Sequence, residues 1–365
     1  MYGLWYAEMI PLFKVWMSPE AKHRIATVLD SGYIGQGAVV EKFEARLSER
    51  TATPVLTTSS GTAALDLALA VLDIGPGDEV ISTPMTCTAT NHVINNRGAK
   101  IVWCDIDPIT GLASPESITH LITDKTRAVV VVDWGGECVE FRLALLRREL
   151  PIIIDAAHRA PVVDARYQNG SNVFVAYSFQ AIKFLTTGDG GALIVPEQYY
   201  RSAKLQRWFG LDRESSSDSR CEQTITLKGY KYHMNDIAAA IGLANLEGLD
   251  DRITRHRKII AYYKDVGLNV RSKPDSQSWV AFTHVKQRSD FGDFMEQKGI
   301  SVSKVHSRND TQSVFMAAIP SSHDGLEKFD ASYIAIPCGW WLTDAEIEHV
   351  TSSVIEWEKG HGRPE

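Results

Sequence analysis

Two continuously apolar stretches in the first half of the chain constrain its fold more than any other feature. Residues 127–132 read Arg-Ala-Val-Val-Val-Val, and residues 151–155 read Pro-Ile-Ile-Ile-Asp. Strands without polar alternation are buried on both faces, as in parallel sheets that carry helices on each side. Segments with helical patterning separate these strands from their neighbours. The sequence therefore predicts an α/β fold with a mainly parallel sheet.

The predicted elements alternate along most of the chain, and their bounds follow from apolar periodicity and from Gly and Pro punctuation. Strands are predicted at residues 55–58, 78–84, 99–105, 127–132, 151–155, 173–179, 192–195, 279–285 and around 302. Helices are predicted at residues 19–29, 39–49, 61–72, 85–96, 115–122, 141–149, 197–208, 236–264, 291–297 and 343–358.

The chain length indicates two domains. With 365 residues it exceeds the roughly 150 residues expected per domain. We predict a large ligand-binding domain over residues 1–250 and a smaller α+β domain over residues 251–365. The long helix at 236–264 would link them, and residues 9–30 are candidates to pack with the smaller domain.

Composition excludes several classes of protein. A net charge of −7 without a basic run argues against nucleic-acid binding. No apolar span reaches the roughly 18 residues of a membrane helix, and the first residues lack the features of a signal peptide. The five cysteines are scattered without a CxxC pair, which is typical of a reducing compartment and of a chain without disulfides. We therefore expect a cytoplasmic protein that contacts neither membrane nor nucleic acid, and no metal site.

Lys183 is the most reactive group that this pattern singles out. It lies between the apolar strands predicted at 173–179 and 192–195, next to glycines at 188, 190 and 191. Desolvation lowers the pKa of a lysine, and a neutral amine attacks carbonyl groups. On this stretch alone, a Schiff-base lysine and a surface lysine on a hairpin loop both remain open.

A candidate anion site follows the first predicted strand. Ser60, Gly61 and Thr62 stand where that strand passes into an Ala/Leu-rich helix. The free N–H groups of a helix start, together with two hydroxyls, would bind a phosphate. An ordinary N-cap by Ser or Thr is the alternative.

Asp155 ends an apolar strand, and Lys183 follows 28 positions later. Ligands of such sheets bind beyond the carboxyl ends of the strands, where the loops at Met85, Trp134 and Gly61 are also expected. A strand-end carboxylate, a buried lysine and a phosphate cradle suit pyridoxal 5'-phosphate (PLP). The carboxylate would keep the pyridine nitrogen protonated, and the lysine would carry the cofactor and move a proton. An ordinary helix N-cap is the alternative for Asp155.

The motifs around these residues resemble the DegT/DnrJ/EryC1/StrS sugar aminotransferases, nearly end to end from Ile10 to Glu358. The strongest match is Ser178-Phe-Gln-Ala-Ile-Lys183 with the following Leu-Thr-Thr-Gly-Asp-Gly-Gly, and Asp155-Ala-Ala-His158 is also similar. The resemblance implies PLP-dependent transferase fold type I, with a mainly parallel seven-stranded sheet. It implies that Lys183 carries PLP, that Ser178 and the 60–62 turn bind its phosphate, that Asp155 pairs with the pyridine nitrogen, and that His158 contacts the phenolic oxygen.

Residues 230–246 resemble the stretch that a neighbouring subunit contributes to the site in that family. The resemblance thus implies a homodimer with active sites at the subunit interface. Lys231 stands where the family has an asparagine, and its cation would meet a phosphate; a solvated surface charge is the alternative. Cys87 stands where an aromatic residue often covers the ring, so Thr86, Thr88 or Trp134 are alternative covers.

Tyr33, Trp134 and His306 are the candidate substrate-binding residues. Their alternatives are an exposed turn for Tyr33, core packing for Trp134 and a solvated loop for His306. His158 likewise has the alternative of a satisfied core histidine.

The resemblance implies an aminotransferase that moves an amino group from glutamate or glutamine to a keto sugar. The sugar is expected to be nucleotide-linked, and the product to serve a surface polysaccharide or a glycosylated metabolite. One alternative is a PLP-dependent sugar 3-dehydratase of the same family, which would carry histidine where Lys183 stands. The other is an inactive regulator that binds a sugar nucleotide.

Overall fold

A seven-stranded sheet forms the centre of the larger part of the protein. The computed structural model describes residues 9–139, 150–167, 172–213, 222–271, 276–320 and 323–363, so the helix predicted at 141–149 lies outside the described residues. In chain order the strands are β1 (Val55–Thr58), β2 (Glu79–Ser82), β3 (Lys100–Trp103), β4 (Thr126–Val132), β5 (Ile152–Asp155), β6 (Val173–Ser178) and β7 (Gly191–Ile194).

The sheet order is β1-β7-β6-β5-β4-β2-β3. All pairs from β6 to β3 are parallel, whereas β7 runs antiparallel to both β6 and β1. Successive residues of the apolar strands face opposite sides: Ile152 and Ile154 belong to one core cluster and Ile153 to another. The prediction of a mainly parallel sheet, buried on both faces, is confirmed.

Helices surround this sheet, and the last of them also packs into the core of the C-terminal part. They are α1 (Ala21–Ser31), α2 (Ala38–Thr51), α3 (Gly61–Val71), α4 (Thr88–Asn96), α5 (Pro115–Leu121), α6 (Glu197–Gln206), α7 (Asp236–Leu246) and α8 (Leu249–Asp265). The single helix predicted at 236–264 is wrong in one respect, because Gly248 adopts a left-handed φ of 67° and separates α7 from α8. Among the described residues, no helix combines the length and the apolar character that crossing a bilayer requires.

A three-stranded antiparallel sheet forms the centre of the C-terminal part. Its order is β10 (Tyr333–Ile336), β9 (Ala281–His284), β8 (Val270–Arg271), and it is accompanied by α9 (Arg288–Gln297), α10 (Asp324–Ser332) and α11 (Asp344–His361). The strand predicted around 302 is wrong, since only an isolated bridge joins Ser303 to Ala335. The apolar core of this part includes Ile10, whose backbone pairs with Ile300.

Candidate active site

A cavity of about 320 Å³ opens at the carboxyl ends of the central strands. Its wall combines strand ends, the start of α3, the loop before α4 and residues 279, 305 and 306 of the C-terminal part. Most of the predicted site residues line it together: Ser60, Gly61, Thr62, Cys87, Asp155, His158, Ser178, Lys183 and His306. The sheet topology therefore gathers residues that are up to 246 positions apart in the sequence.

Lys183 follows β6, and its ammonium lies over an aromatic ring. The Nζ atom is 3.6 Å from the ring centroid of Trp279. Burial lowers the pKa of Lys183 to about 8, although Asp155 and Cys87 act in the opposite direction. The uncharged amine that nucleophilic attack on a carbonyl requires is therefore a minor form near neutral pH, but a far larger one than in an ordinary lysine.

Asp155 is held by two donors at the end of β5. Thr90 Oγ1 donates to its Oδ2 at 2.7 Å, and the Ala157 backbone N–H donates to its Oδ1 at 3.0 Å. Burial raises the pKa of Asp155, and both donors and the charge of Lys183 oppose that rise. A buried carboxylate of this kind is stabilised by a cationic partner, such as a protonated ring nitrogen.

The start of α3 packs directly against the ends of β6 and β7. Ser60 is the N-cap, and its side chain accepts a hydrogen bond from the Ala63 N–H at 3.0 Å. A Cβ on Gly61 would lie 2.9 Å from the Cβ of Ser178, and one on Gly191 would lie 2.5 Å from the backbone of Ser60. Both glycines thus allow the close approach that brings the Ser178 hydroxyl beside a helix N-terminus, which is a suitable anion site.

His158 and His306 form a pair of nearly parallel imidazole rings that meet edge to edge at one side of the cavity. The Nε2 atoms are 3.4 Å apart, and the planes are inclined by 9°. The Gly135 N–H donates to His158 Nδ1 at 3.1 Å, and the His158 ring also stacks on Trp279. Burial and the charge of Lys183 lower the pKa of His158, and they lower the pKa of His306 to about 4. Both rings are therefore neutral at physiological pH.

The structure does not bring three of the predicted residues into this cavity. Trp134 is only 1% exposed and stacks on Phe282 while touching both histidine rings, so its position supports core packing. Tyr33 is 83% exposed. Lys231 is also exposed and lines a separate open groove, to which Ser60 and Thr62 contribute as well.

Other residues of the site escaped the sequence analysis. Thr90 fixes Asp155, and Trp279 contacts both Lys183 and His158. Asn309 links the two parts of the protein, because it accepts from Asn91 Nδ2 at 2.9 Å and donates to the Thr86 carbonyl at 2.8 Å. These roles depend on contacts between distant positions, and no local motif marks them.

Comparisons with known proteins agree with this geometry. The model of the DegT/DnrJ/EryC1/StrS aminotransferase family matches residues 16–355. The fold is similar to the crystal structure of AtS13 from Actinomadura melliaura, at 37% identity and a TM-score of 0.89, over 96% of this chain and 99% of that one. It is also similar to the sugar aminotransferase CalS13 from Micromonospora echinospora, at 33% identity and a TM-score of 0.87, over 95% of this chain and 100% of that one.

A third similar structure is the aminotransferase TlmJ from Streptoalloteichus hindustanus. It is 25% identical with a TM-score of 0.85, over 96% of this chain and 99% of that one.

Proposed function

Because this chain belongs to the DegT/DnrJ/EryC1/StrS aminotransferase family, we propose that it transfers an amino group from glutamate or glutamine to a nucleotide-linked keto sugar. The protein is an aminotransferase, and its cofactor is pyridoxal 5'-phosphate. The observation that carries the proposal is that Lys183, Asp155 and Ser178 surround one cavity whose wall is completed by the His158–His306 pair. The product would enter a surface polysaccharide or a glycosylated metabolite.

The donor set of the cavity fits this cofactor. Lys183 would hold the aldehyde carbon, Asp155 the ring nitrogen, and Ser178 with the 60–62 turn the phosphate. When bound, the cofactor supplies a carbonyl that condenses with amines and a ring that withdraws electrons from the carbon next to the nitrogen. His158 would face the phenolic oxygen, and Cys87, at the N-cap of α4, would border the ring.

The chain's own groups perform the proton and positioning work. Lys183 can take a proton from the substrate carbon and return it, because its lowered pKa leaves Nζ both basic and partly uncharged near neutral pH. Asp155, buried and fixed by Thr90, would keep the ring nitrogen of the cofactor protonated. The ring of Trp279, 3% exposed, covers one side of Nζ and excludes water there.

The substrate side of the proposal depends on His306, which lines the cavity from the C-terminal part. Trp134 supports that wall by packing its ring against the ring of His306. Tyr33 can reach a substrate only from another subunit or after a movement of its turn, since it is exposed outside the cavity.

We also propose a cytoplasmic location, which agrees with the free thiols of the described cysteines, namely Cys87, Cys104, Cys138 and Cys338.

A direct assay tests the proposed function. The purified holoenzyme is incubated with glutamate, glutamine or other amino acids and with a panel of nucleotide-linked and free keto sugars, and amino sugars are detected by mass spectrometry. We expect transfer from glutamate or glutamine to at least one nucleotide-linked keto sugar, and none with the Lys183→Ala variant. Transfer only to acceptors that are not sugars would refute the proposal.

The same assay separates the two alternatives. A sugar 3-dehydratase would remove the 3-hydroxyl without adding nitrogen, and a regulator would bind the sugar nucleotide without changing it. Lys183 disfavours the first, because the resemblance assigns histidine to that position in the dehydratases. The joint placement of Lys183, Asp155 and Ser178 around one cavity disfavours the second.

A further inference from the structure

The ammonium group of Lys183 lies in a desolvated place without a conventional partner. Burial around Nζ is the largest cause of its lowered pKa, about 8, so most of the amine is still charged at pH 7. Within the described ranges of the chain, Nζ makes no hydrogen bond and no ion pair. A desolvated charge is costly unless another group stabilises it, so the remaining contacts of Nζ decide where the free amine rests.

The indole ring of Trp279 provides such a contact. Nζ lies over this ring, 3.6 Å from its centroid. Cation–π attraction acts within about 6 Å of a ring, is strongest for tryptophan, and grows as water is excluded. Trp279 is only 3% exposed. Geometry and burial therefore both favour a strong attraction between the ring and the charged amine.

The ring is fixed in this position by its edge, its faces and its backbone. The Nε1–H donates to the carbonyl of Ile182, the residue before the lysine, at 3.0 Å. Phe13 stacks on the ring at 4.6 Å between centroids, and His158 does so at 4.4 Å. The backbone N–H of Trp279 donates to the Gly135 carbonyl at 3.1 Å. A ring that is tied to the neighbouring peptide keeps its position relative to the amine.

Other ionisable groups border the same amine and influence its charge. Asp155 favours the charged form without forming an ion pair, and bound cofactor would direct this carboxylate to the ring nitrogen instead. The ionisable residues of the cavity are Cys87, Asp155, His158, Tyr177, Asp189 and His306. Those of an adjoining crevice, which Lys183 and Trp279 also line, are Lys14, Arg252 and His256. All of them stay the same when only the indole ring is altered, so their influence cancels in such a comparison.

We propose that Trp279 is a positioning residue that holds the charged, unattached amine of Lys183 by cation–π attraction. The inference rests on the proposed function, in which Lys183 is released from the cofactor whenever the transferred amino group occupies it. In that state the ring keeps the ammonium beside the carbon whose proton it moves, instead of letting it turn towards solvent. Because Trp279 belongs to the C-terminal part, the position of the amine depends on both parts of the protein.

Fluorination of one indole ring separates attraction from simple exclusion of water. The substitution Trp279→tetrafluorotryptophan, introduced by stop-codon suppression, keeps the apolar shape and the Nε1–H but removes negative charge from the ring face. The protein is loaded with pyridoxamine 5'-phosphate, which carries an amine in place of the aldehyde and leaves Lys183 unattached. Acetic anhydride reacts with the uncharged amine, and mass spectrometry follows the acetylation of Lys183 as a function of pH.

The pH midpoint of this reaction should fall in the fluorinated protein, because the charged amine loses stabilisation. We expect a fall of about one pH unit, which corresponds to a roughly tenfold change in the ionisation constant. The same substitution at Trp357, which packs against Phe291 in the core of the C-terminal part, is the matched control and should leave the midpoint unchanged. An unchanged or higher midpoint after fluorination at position 279 would overturn the inference.

A crystal structure provides the second measurement. In the wild-type protein loaded with pyridoxamine 5'-phosphate, Nζ should lie over the indole ring of Trp279. An amine that points towards the cavity mouth would overturn the inference. Neither experiment uses a sugar or an amino donor, so their failure would leave the proposed transfer to a keto sugar standing.

Discussion

At the scale of single residues, Asp155 depends on a hydroxyl 65 positions earlier in the chain. The apolar strand before Asp155 is enough to predict a carboxylate at a strand end. Nothing near Thr90 predicts its partner, because that contact exists only once the start of α4 lies beside the end of β5. The same reason hides Trp279, which reaches Lys183 from the C-terminal part. Thus the sequence is enough to identify the reactive groups, and the structure adds the residues that hold or contact those groups.

Replacing Thr90 with valine should weaken the site through Asp155. The change removes a donor to a buried carboxylate and keeps the shape, so we expect a loss of about 1–3 kcal/mol in unfolding free energy, measured with urea. The pKa of Asp155, already raised by burial, should rise further, and the acidic limb of the pH–rate profile should move to higher pH. Thr88→Val, at an exposed position on the same helix, is the matched control. An unchanged profile in Thr90→Val would contradict this role.

The amine of Lys183 should titrate well below an ordinary lysine. Burial disfavours its charged form, so the proton leaves near pH 8 instead of near 10.5. The rate at which cofactor-free protein captures pyridoxal phosphate, followed by visible absorbance, should therefore rise through about pH 8 and then level off. Lys183→Ala should show no such absorbance change. A rate that keeps rising to pH 10 would mean that the ammonium is solvated.

At the scale of elements, the contact between α3 and the strands β6 and β7 depends on glycines. Their clustering in the sequence indicates a close approach of some kind, but only the fold identifies Ser60 and Ser178 as the neighbours. Strand positions could be predicted from apolar runs, since burial on both faces leaves no polar alternation. The antiparallel direction of β7 between β6 and β1 could not be predicted from the sequence. In this buried sheet an antiparallel strand is as apolar as a parallel one, so the pattern does not distinguish the two.

Gly191→Ala should destabilise the protein and loosen cofactor binding. The added methyl would press against the backbone of Ser60, which cannot move without displacing the start of α3. Overpacking of this kind costs about 1–3 kcal/mol, measurable by chemical unfolding. Gly75→Ala is the control, because its methyl would meet nothing within 4 Å. Equal stabilities of the two variants would show that the contact has little energetic weight.

At the scale of the whole molecule, Lys231 and Tyr33 are exposed and lie outside the cavity of their own chain. We propose that a second copy of this chain brings Lys231 to the phosphate region, because residues 230–246 resemble the stretch that a neighbouring subunit contributes in this family and Lys231 does not line the cavity of its own chain. A homodimer with shared sites follows from this proposal.

Complementation between two inactive variants tests shared sites. Lys183→Ala and Lys231→Glu are each expected to lose most activity. If each site takes Lys183 from one subunit and Lys231 from the other, subunits exchanged between the two variants form one intact site per mixed dimer. About a quarter of the wild-type activity should then return after statistical mixing. Gel filtration should show a dimer, and no recovery in a sample proven to contain mixed dimers would exclude the shared site.

The segment that begins at Ile10 is held at two places. Ile10 exchanges backbone hydrogen bonds with the Gly299–Ser301 segment, and α1 packs on α7, while Phe13 between them stacks on Trp279. The segment from Ile10 to α1 therefore connects the part that contains the large sheet to the part that contains the small one. A rigid-body rotation of the C-terminal part would first have to break the backbone hydrogen bonds of Ile10. We therefore expect ligand entry to depend on small local movements around Phe13.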